Sequence, residues 1–572
     1  MTTSHFRRCL PVVAITVALA VAVPGFAHAQ GRKLDRALHK IKDSETTRVI
    51  VRYKHGRGDR VERNLSGRGH RVRGRHAAVN GFSLDVRGDA LRQLANDPDV
   101  ESIASDAEVS ADATLTAIPS SVLRDTLGDM PYSGGQGVGV AIIDSGITPL
   151  AAFNGRITAF FDFTSGAALE TVPNDPYGHG THVAGLIGAS DATYMGVAPK
   201  ATLIGLKVLD KHGKGLTSNV IAALEFAVAN RTRYNIRVVN MSLGHPILSP
   251  AADDPLVEAV EAATRAGLIV VVSAGNAGTN DKTGEVGYAG ISSPGNAPSA
   301  ITVGALDTRG TVQRSDDAVA PYSSRGPTWF DGYLKPDVLA PGHRLVSTAN
   351  ARSALFTKYP ALQVQRSRRS YLTLSGTSMA TAVVSGLVAN VIEAHANAVS
   401  QYYVQSAPRL TANAVKALLQ YTSLPVTYAD GTLPDPLTQG TGGVNGEGAV
   451  RFAFLSVALT VDPGLMAEHG EELTSIGDED LAWSRTISWG QSLVTGTGLA
   501  MDPVWATNVV WGDNIVWGDN VVWGDNIVWG DNVVWGENVV WGDNIVWGDN
   551  IVWGDNVVWG ESTLTGNSVL GR

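Results

Sequence analysis

Between residues 115 and 455 the chain alternates short, continuous apolar runs with longer stretches whose apolar residues recur at helical spacing. The runs are Val138–Ile143, Leu203–Leu209, Val238–Leu243, Leu268–Ser273 and Ile301–Val303, with the helical candidates Ser218–Ala229 and Pro255–Ala266 between them. Strands that are apolar on both faces and separated by helices predict an α/β domain, a parallel sheet with helices on both faces. Active sites in such sheets collect at the carboxyl ends of the strands.

Other patterns flank this domain. In residues 31–114 the strand-like Arg48–Tyr53, the alternating Val79–Val86, the helical Asp89–Asn96 and the strand-like Val100–Val109 predict a small α+β unit, followed by a linker through Gly128. Residues 456–507 are polar and irregular and read as a linker. Residues 508–560 repeat Asn-Val/Ile-Val-Trp-Gly-Asp, with nine tryptophans from Trp511 to Trp559 at intervals of six, and 561–572 form a tail. Val, Ile and Trp favour strand while Gly-Asp-Asn interrupts it, so the repeat predicts a β-rich solenoid in which no hexapeptide buries its face alone. Val516 and its equivalents would face inward and the tryptophans outward. A self-packed stack, a binding surface for glycans, cell envelope or protein, and an unfolded or removed tail are the three alternatives.

Composition narrows the classes. At 572 residues the chain exceeds a single core, and 44% hydrophobic with 17% charged residues is ordinary for a globular protein. Its one cysteine, Cys9, excludes a disulfide scaffold and a Cys-ligated zinc site. Cys9 lies within Met1–Gln30, which reads as a secretory signal: Arg7 and Arg8, the apolar Leu10–Val23, then Ala27-His28-Ala29. Secretion is expected, with no transmembrane segment after signal removal. Gly31–Ser110 carries 17 basic and 12 acidic residues, whereas the chain from Ala111 onward carries 26 basic and 42 acidic. The basic run Arg57–Arg75 resembles a nucleic-acid patch. A basic domain lying on an acidic body accounts for the same asymmetry, so no nucleic-acid partner is expected.

Three turns carry the chemistry. Ala141-Ile-Ile-Asp144-Ser-Gly146 sets a carboxylate where an apolar run stops; Gly178-His179-Gly-Thr-His182 sets a histidine at a helix start; Gly376-Thr-Ser378-Met-Ala380 sets a serine at another. A serine hydroxyl needs a base to take its proton, and that base needs a buried carboxylate to orient it. Asp144, His179 and Ser378, in that chain order, are therefore the candidate catalytic residues. His182, three residues after His179, reads as a packing residue, and one such histidine pair is a poor zinc site.

From about Gly135 to Val450 the chain resembles the subtilisin-like (subtilase) serine proteases. Further matches are Gly196-Val-Ala-Pro199, Val239-Asn-Met-Ser-Leu-Gly244, Ser273-Ala-Gly-Asn276 and Leu334-Lys-Pro-Asp-Val-Leu-Ala-Pro-Gly342. The resemblance implies a serine endopeptidase with Asn276 as oxyanion donor beside the Ser378 N–H. It implies substrate binding by Ser242, Leu243 and Gly244 and by Ala274 and Gly275, with Gly287 as the floor of the pocket for the residue before the cut. An open floor favours large apolar residues there over Lys or Arg. Asn80-Gly-Phe-Ser and Asp97-Pro-Asp-Val100 resemble the family's inhibitory propeptide, so the enzyme is expected as an autoinhibited precursor, cut between Val109 and Leu127. No cofactor is implied. The loop between Gly185 and Gly196, which helps hold a stabilising calcium in many relatives, is short here, which argues against that ion. Three departures stand out: Ala382-Val383 replaces the usual Pro-His after the serine, Ala289 follows Tyr288 where proline is common, and Ala351–Arg369 is an insertion expected as a mobile surface loop. The competing function is a surface adhesion protein whose protease domain only processes the precursor.

Overall fold

The structure, a computed structural model, describes residues 33–111, 123–130, 134–280, 282–366, 369–404, 410–428, 431–458 and 472–495, and the backbone of short strands between 515 and 565. The signal-like Met1–Gln30 lies outside the described residues.

The N-terminal unit is a four-stranded antiparallel sheet in the order Val72–His76, Gly81–Arg87, Thr46–Tyr53, Val100–Ser105, with helices Gly58–Gly67 and Gly88–Ala95. Side chains alternate along a strand, and Thr46–Tyr53 uses both faces. Val49 and Val51 join Leu65, Phe82, Leu84 and Leu91 in the unit's own core, while Ile50 joins the core of the following domain. The basic run Arg57–Arg75 supplies a helix and an edge strand. Its arginines pair within the unit: Arg73 with Asp85, Arg75 with Glu62, Arg60 with Asp99.

The second domain is built on a nine-stranded sheet. Its parallel centre runs Ile301–Asp307, Ile269–Ser273, Ile236–Met241, Gly139–Asp144, Thr202–Lys207, Ile157–Asp162. Val140 and Ile142 face one core with helices His179–Gly188 and Thr377–Gln401; Ala141 and Ile143 face the other with Thr217–Ala229 and Pro255–Arg265. Each strand is thus covered on both sides, which explains the unbroken apolar runs. Thr377–Gln401 is long and apolar enough to cross a bilayer, yet it is the core helix, packed against the sheet. Chain order reverses direction at Gly139–Asp144, flanked by Thr202–Lys207 on one side and Ile236–Met241 on the other, which sets the crevice at its carboxyl end.

Two expectations are corrected. Residues 472–495, within the expected linker 456–507, form the hairpins Leu473–Ala482 and Thr486–Thr495. They belong to the same core: Ile476, Trp483 and Ile487 are buried with Tyr421 and Phe452, and Gln420 Nε2 donates to the Ser488 carbonyl. The insertion after Ala351 is also folded, as a helix Ala354–Lys358 and a hairpin Gln363–Leu374 with Leu355, Phe356 and Leu362 buried. In both stretches only some of the apolar residues pack, and Leu493 stays exposed.

In the tail, each short strand pairs in parallel with the one three repeats on: Ile515–Trp517 with Val533–Trp535 and then Ile551–Trp553, and likewise for two further sets. Three sheets advancing by 18 residues describe a three-sided coil. The side chains of this tail, and so the expected facing of Val516 and the tryptophans, lie outside the described residues.

His76 is buried in the N-terminal unit with Nε2 3.2 Å from Ser83 Oγ, and burial lowers its pKa from 6.5 to about 4. The unfolded chain therefore takes up the proton first. The stability that neutral His76 contributes is present above about pH 6.5 and is lost as pH falls towards 4. In a Ser378→Ala chain, the denaturant midpoint of the N-terminal unit should fall more steeply between pH 7 and 5 than in the same chain with His76→Gln. Parallel slopes would contradict this.

Candidate active site

Asp144 is the last residue of strand Gly139–Asp144, His179 the first of helix His179–Gly188 and Ser378 the second of helix Thr377–Gln401. Both Asp144 carboxylate oxygens lie against His179 Nδ1, at 2.8 and 2.9 Å, and both side chains are fully buried. Ser145 N donates to Asp144 Oδ1 at 2.7 Å. With Nδ1 donating to the carboxylate, Nε2 is the basic nitrogen. Close approach of helix and strand requires Gly180, because a Cβ there would strike the Gly146 carbonyl and press on Asp144 Oδ1.

A second carboxylate, absent from the sequence reading, fixes the helix that carries His179. Asp175 accepts from Gly178 N, Thr181 N, Thr181 Oγ1 and Ser145 Oγ, at 2.7–2.9 Å. It thereby satisfies N–H groups at the helix start that have no partner within the helix. Burial pushes its pKa up, opposed by those donors. Lys207, opposite Asp144 in the sheet, donates to the carbonyls of Ser145 at 2.9 Å and Leu209 at 2.6 Å, and burial lowers its pKa. The inserted segment braces the same loop, with Ala354 N and Leu355 N donating to the carbonyls of Pro176 and Tyr177.

Ser378 Oγ donates to the Ser242 carbonyl at 3.0 Å, and Ser242 Oγ donates to the Ser378 carbonyl at 3.0 Å. Behind them Asn240 Nδ2 donates to Ser242 Oγ, and Ser385 Oγ to Asn240 Oδ1. This buried polar chain ties the end of strand Ile236–Met241 to the serine helix. Asn276 Oδ1 accepts from Thr377 N at 3.0 Å and Thr377 Oγ1 at 3.1 Å. With its oxygen engaged there, the side-chain amide turns its N–H groups away from Thr377. Ser378 N, in the first turn, has no acceptor within the helix.

The structure gathers Asp144, His179, Ser378, Asn276, Ser242, Leu243, Gly244, Ala274 and Gly275 at these strand ends. Gly287 is not among them, which corrects its assignment as pocket floor. It lies on an outer loop, and a Cβ on it would have only the carbonyls of Ala277 and Gly278 nearby, at 3.7 and 4.0 Å. Ser292 takes the place, because strand Ser292–Ser293 pairs with Leu243–Pro246. The positions a Cβ would take on Gly244 and Gly275 are 2.8 and 3.1 Å from Ser292 Oγ, and that on Gly275 is 2.9 Å from Ser324 Oγ. Two buried hydroxyls thus stand against Gly244 and Gly275.

His182 is buried, with Nε2 2.9 Å from the Leu372 carbonyl and 3.2 Å from that of Leu345, and burial lowers its pKa to about 3. A neutral, backbone-bound ring is a packing residue. In the short loop after Gly185, Asp191 accepts from Arg369 Nη1 and Tyr371 Oη, both at 2.7 Å. Its carboxylate is already neutralised by a guanidinium, so this loop does not fit a divalent cation. Among the described residues no cluster of three or more His, Cys, Asp or Glu could hold a metal ion.

A buried Asp–His pair beside a serine at a helix start, with an amide aimed past it, is an arrangement for acyl transfer. The model of the subtilase family (Peptidase S8) matches residues 135–449. The chain belongs to the subtilase family. It is similar to the serine protease AprX of Bacillus subtilis, 36% identical over 397 residues covering 66% of this chain and 81% of AprX. It is also similar to subtilisin E of the same organism, 34% identical over 58% of this chain and 75% of that one. Fervidolysin from Fervidobacterium pennivorans shares the fold, with a TM-score of 0.54 at 21% identity, over 74% of this chain and 63% of fervidolysin. This subtilase is a serine endopeptidase.

The arrangement can carry out acyl transfer. Ser378 Oγ would turn from the Ser242 carbonyl to His179 Nε2 and attack the peptide carbonyl as Nε2 takes its proton. Asp144 would hold the ring and stabilise the imidazolium, while the Asn276 amide and Ser378 N would receive the negative oxygen. His179 would then protonate the leaving amine, and water would hydrolyse the ester by the same route. Asn276→Ala should lower kcat about 10²–10³-fold with little change in KM, the loss found for such an amide in subtilisin itself. Thr377→Val removes one of the two donors orienting Asn276 and should cost roughly tenfold in kcat, about one hydrogen bond. Steady-state kinetics on a chromogenic peptide checks both, and an unchanged kcat in Thr377→Val would remove Thr377 from this role.

Proposed function

We propose that this subtilase is a secreted endopeptidase made as a precursor whose N-terminal unit inhibits it until cut away. The observation that carries this reading is the strand Glu108–Ala111, which leaves the N-terminal unit and lies antiparallel between Lys214–Leu216 and Leu243–Pro246 of the catalytic domain. It occupies the groove where a substrate would add as a strand. Val109 on this strand is fully buried in the same core as Leu209, Val220 and Leu243. Just before it, Asp106 accepts from Ser218 N at 2.8 Å and Ser218 Oγ at 2.7 Å, capping helix Thr217–Ala229 from outside its own domain. Glu225 on that helix accepts from Ala78 N, and Lys214 pairs with Glu108. These contacts support the reading of an inhibitor docked on its enzyme; Asp106 and Glu108 supply carboxylates from the N-terminal unit and Glu225 one from the catalytic domain.

Proteins are the substrates, and the pocket before the cut accepts small or polar residues better than the large apolar ones first expected, because Ser292 and Ser324 narrow it and offer hydroxyls. Secretion is supported by the signal-like Met1–Gln30 and by similarity to the extracellular serine proteinase of a Thermus species, 34% identical over 61% of this chain and 72% of that one. The tail's 18-residue coil supports a repeat module that holds the enzyme at a surface.

Purified processed enzyme should hydrolyse casein, lose that activity to a serine-directed sulfonyl fluoride, and lack it in Ser378→Ala. Hydrolysis that survives the inhibitor or the substitution would overturn the reading. Because a guanidinium occupies Asp191, a chelator should leave the melting temperature of the Ser378→Ala chain unchanged, and a drop on chelation would locate a structural cation.

A further inference from the structure

We propose that the protein binds a small doubly charged oxyanion, of the phosphate or sulfate class, in the cavity between its N-terminal unit and its catalytic domain. The site itself needs only the two units in contact; its effect on activity rests on the precursor reading above. The cavity measures about 320 Å³, against roughly 30 Å³ for one water. Arg48, Arg71, Arg73 and His76 wall it from the N-terminal unit, and Ser165 and Asn219 from the catalytic domain. Among the described residues, none that lines it is acidic.

The charges on this wall are not balanced. Asp85 pairs with Arg48 at 2.9 Å and with Arg73 at 2.6 Å, so one carboxylate answers two guanidinium groups. Asp106, the other carboxylate near Arg48, is engaged by Ser218 N and Ser218 Oγ. Arg71 makes no hydrogen bond or ion pair among the described residues. His76 supplies an independent sign of a missing partner. It is 3% exposed, yet its Nδ1 is buried without a hydrogen-bond partner. A native structure leaves few such atoms unpaired. Ser83 Oγ, 3.2 Å from Nε2, can donate there and leave Nδ1 as an N–H donor on a ring that burial keeps neutral. On the facing wall Asn219 N lies in the first turn of helix Thr217–Ala229, where it has no acceptor within the helix and the dipole favours negative charge. Guanidinium forks, a ring N–H and a helix amide are the donors an oxyanion takes together. A cation would meet only repulsion.

Because the donors come from both units, the ligand binds the docked arrangement and stabilises it by mass action, about a hundredfold when its concentration is about 100 times Kd. On the precursor reading, the oxyanion therefore delays activation. The test is calorimetric titration of the full-length Ser378→Ala chain with phosphate and with sulfate, against chloride at equal ionic strength. Each oxyanion should bind once per chain and raise the melting temperature, and chloride should do neither. Arg71→Ala, at an exposed residue, should weaken binding about ten- to a hundredfold, the loss of a charge-assisted hydrogen bond. Ser165→Glu, on an exposed loop, sets a carboxylate on the facing wall and should abolish binding, whereas Arg63→Ala, outside the cavity, should bind like wild type. Failure of both oxyanions to bind overturns the proposal, and so does wild-type affinity in either cavity variant. With Ser378 intact, phosphate should lengthen the lag before casein hydrolysis, and Arg71→Ala should remove that effect. Oxyanion binding with no lag under any condition refutes the precursor reading and leaves the site standing. A lag without oxyanion binding refutes only the site.

Discussion

A carboxylate with no exposed surface, held against a histidine with none, is the constraint around which this molecule is arranged. Burying Asp144 costs several kcal/mol unless its oxygens are satisfied. The satisfaction comes from His179 Nδ1 and Ser145 N. Those donors stay in place only if the strand end and the helix start are fixed to one another. Asp175 fixes them through Ser145 Oγ and the first N–H groups of the histidine helix, and Lys207 holds the backbone carbonyls on either side. Catalysis at Ser378 thus depends on a polar shell that never touches substrate. This shell occupies strand ends, where the parallel sheet leaves backbone groups without ladder partners.

The same logic separates what could be read in the sequence from what could not. Asp144, His179 and Ser378 were legible because each stands at a junction where a run of one period stops and another starts, and the surrounding glycines mark close approach. The parallel sheet was legible because strands covered on both faces have no polar alternation. Asp175 was harder: an Asp-Pro four residues before a histidine is an ordinary loop signal, and only its role as a cap for Gly178 and Thr181 gives it meaning. An acidic residue just ahead of a glycine-framed helix start was the available clue. Helix Gly58–Gly67 hid inside the basic run because only Val61 and Leu65 in it are buried.

Long-range pairing was the least legible. Between Gly275 and Gly295 the chain offers several small residues, any of which could floor a pocket. Gly287 was chosen on local pattern, whereas the choice is made by strand Ser292–Ser293 pairing with His245 and Pro246, nearly fifty residues away in sequence. The hairpins Leu473–Ala482 and Thr486–Thr495 show the same limit. Four-residue strands with at most two buried side chains give almost no periodic signal, and their place is set by Trp483 and Ile487 meeting a core already built from Tyr421 and Phe452. The insertion at Ala351 looked like a loop for the same reason, and it became a brace for the histidine loop through backbone hydrogen bonds, which no side-chain pattern records.

On the precursor reading, recognition through backbone pairing is what lets the strand Glu108–Ala111 fill the groove. The ladders on Lys214–Leu216 and Leu243–Gly244 bind any extended chain, so they set register without demanding a sequence, while the buried Val109 and the Asp106 cap add what is particular to this strand. On that reading, activity requires the N-terminal unit to leave the groove, and the buried Ile50 and Val109 and the Asp106 cap are what oppose its departure.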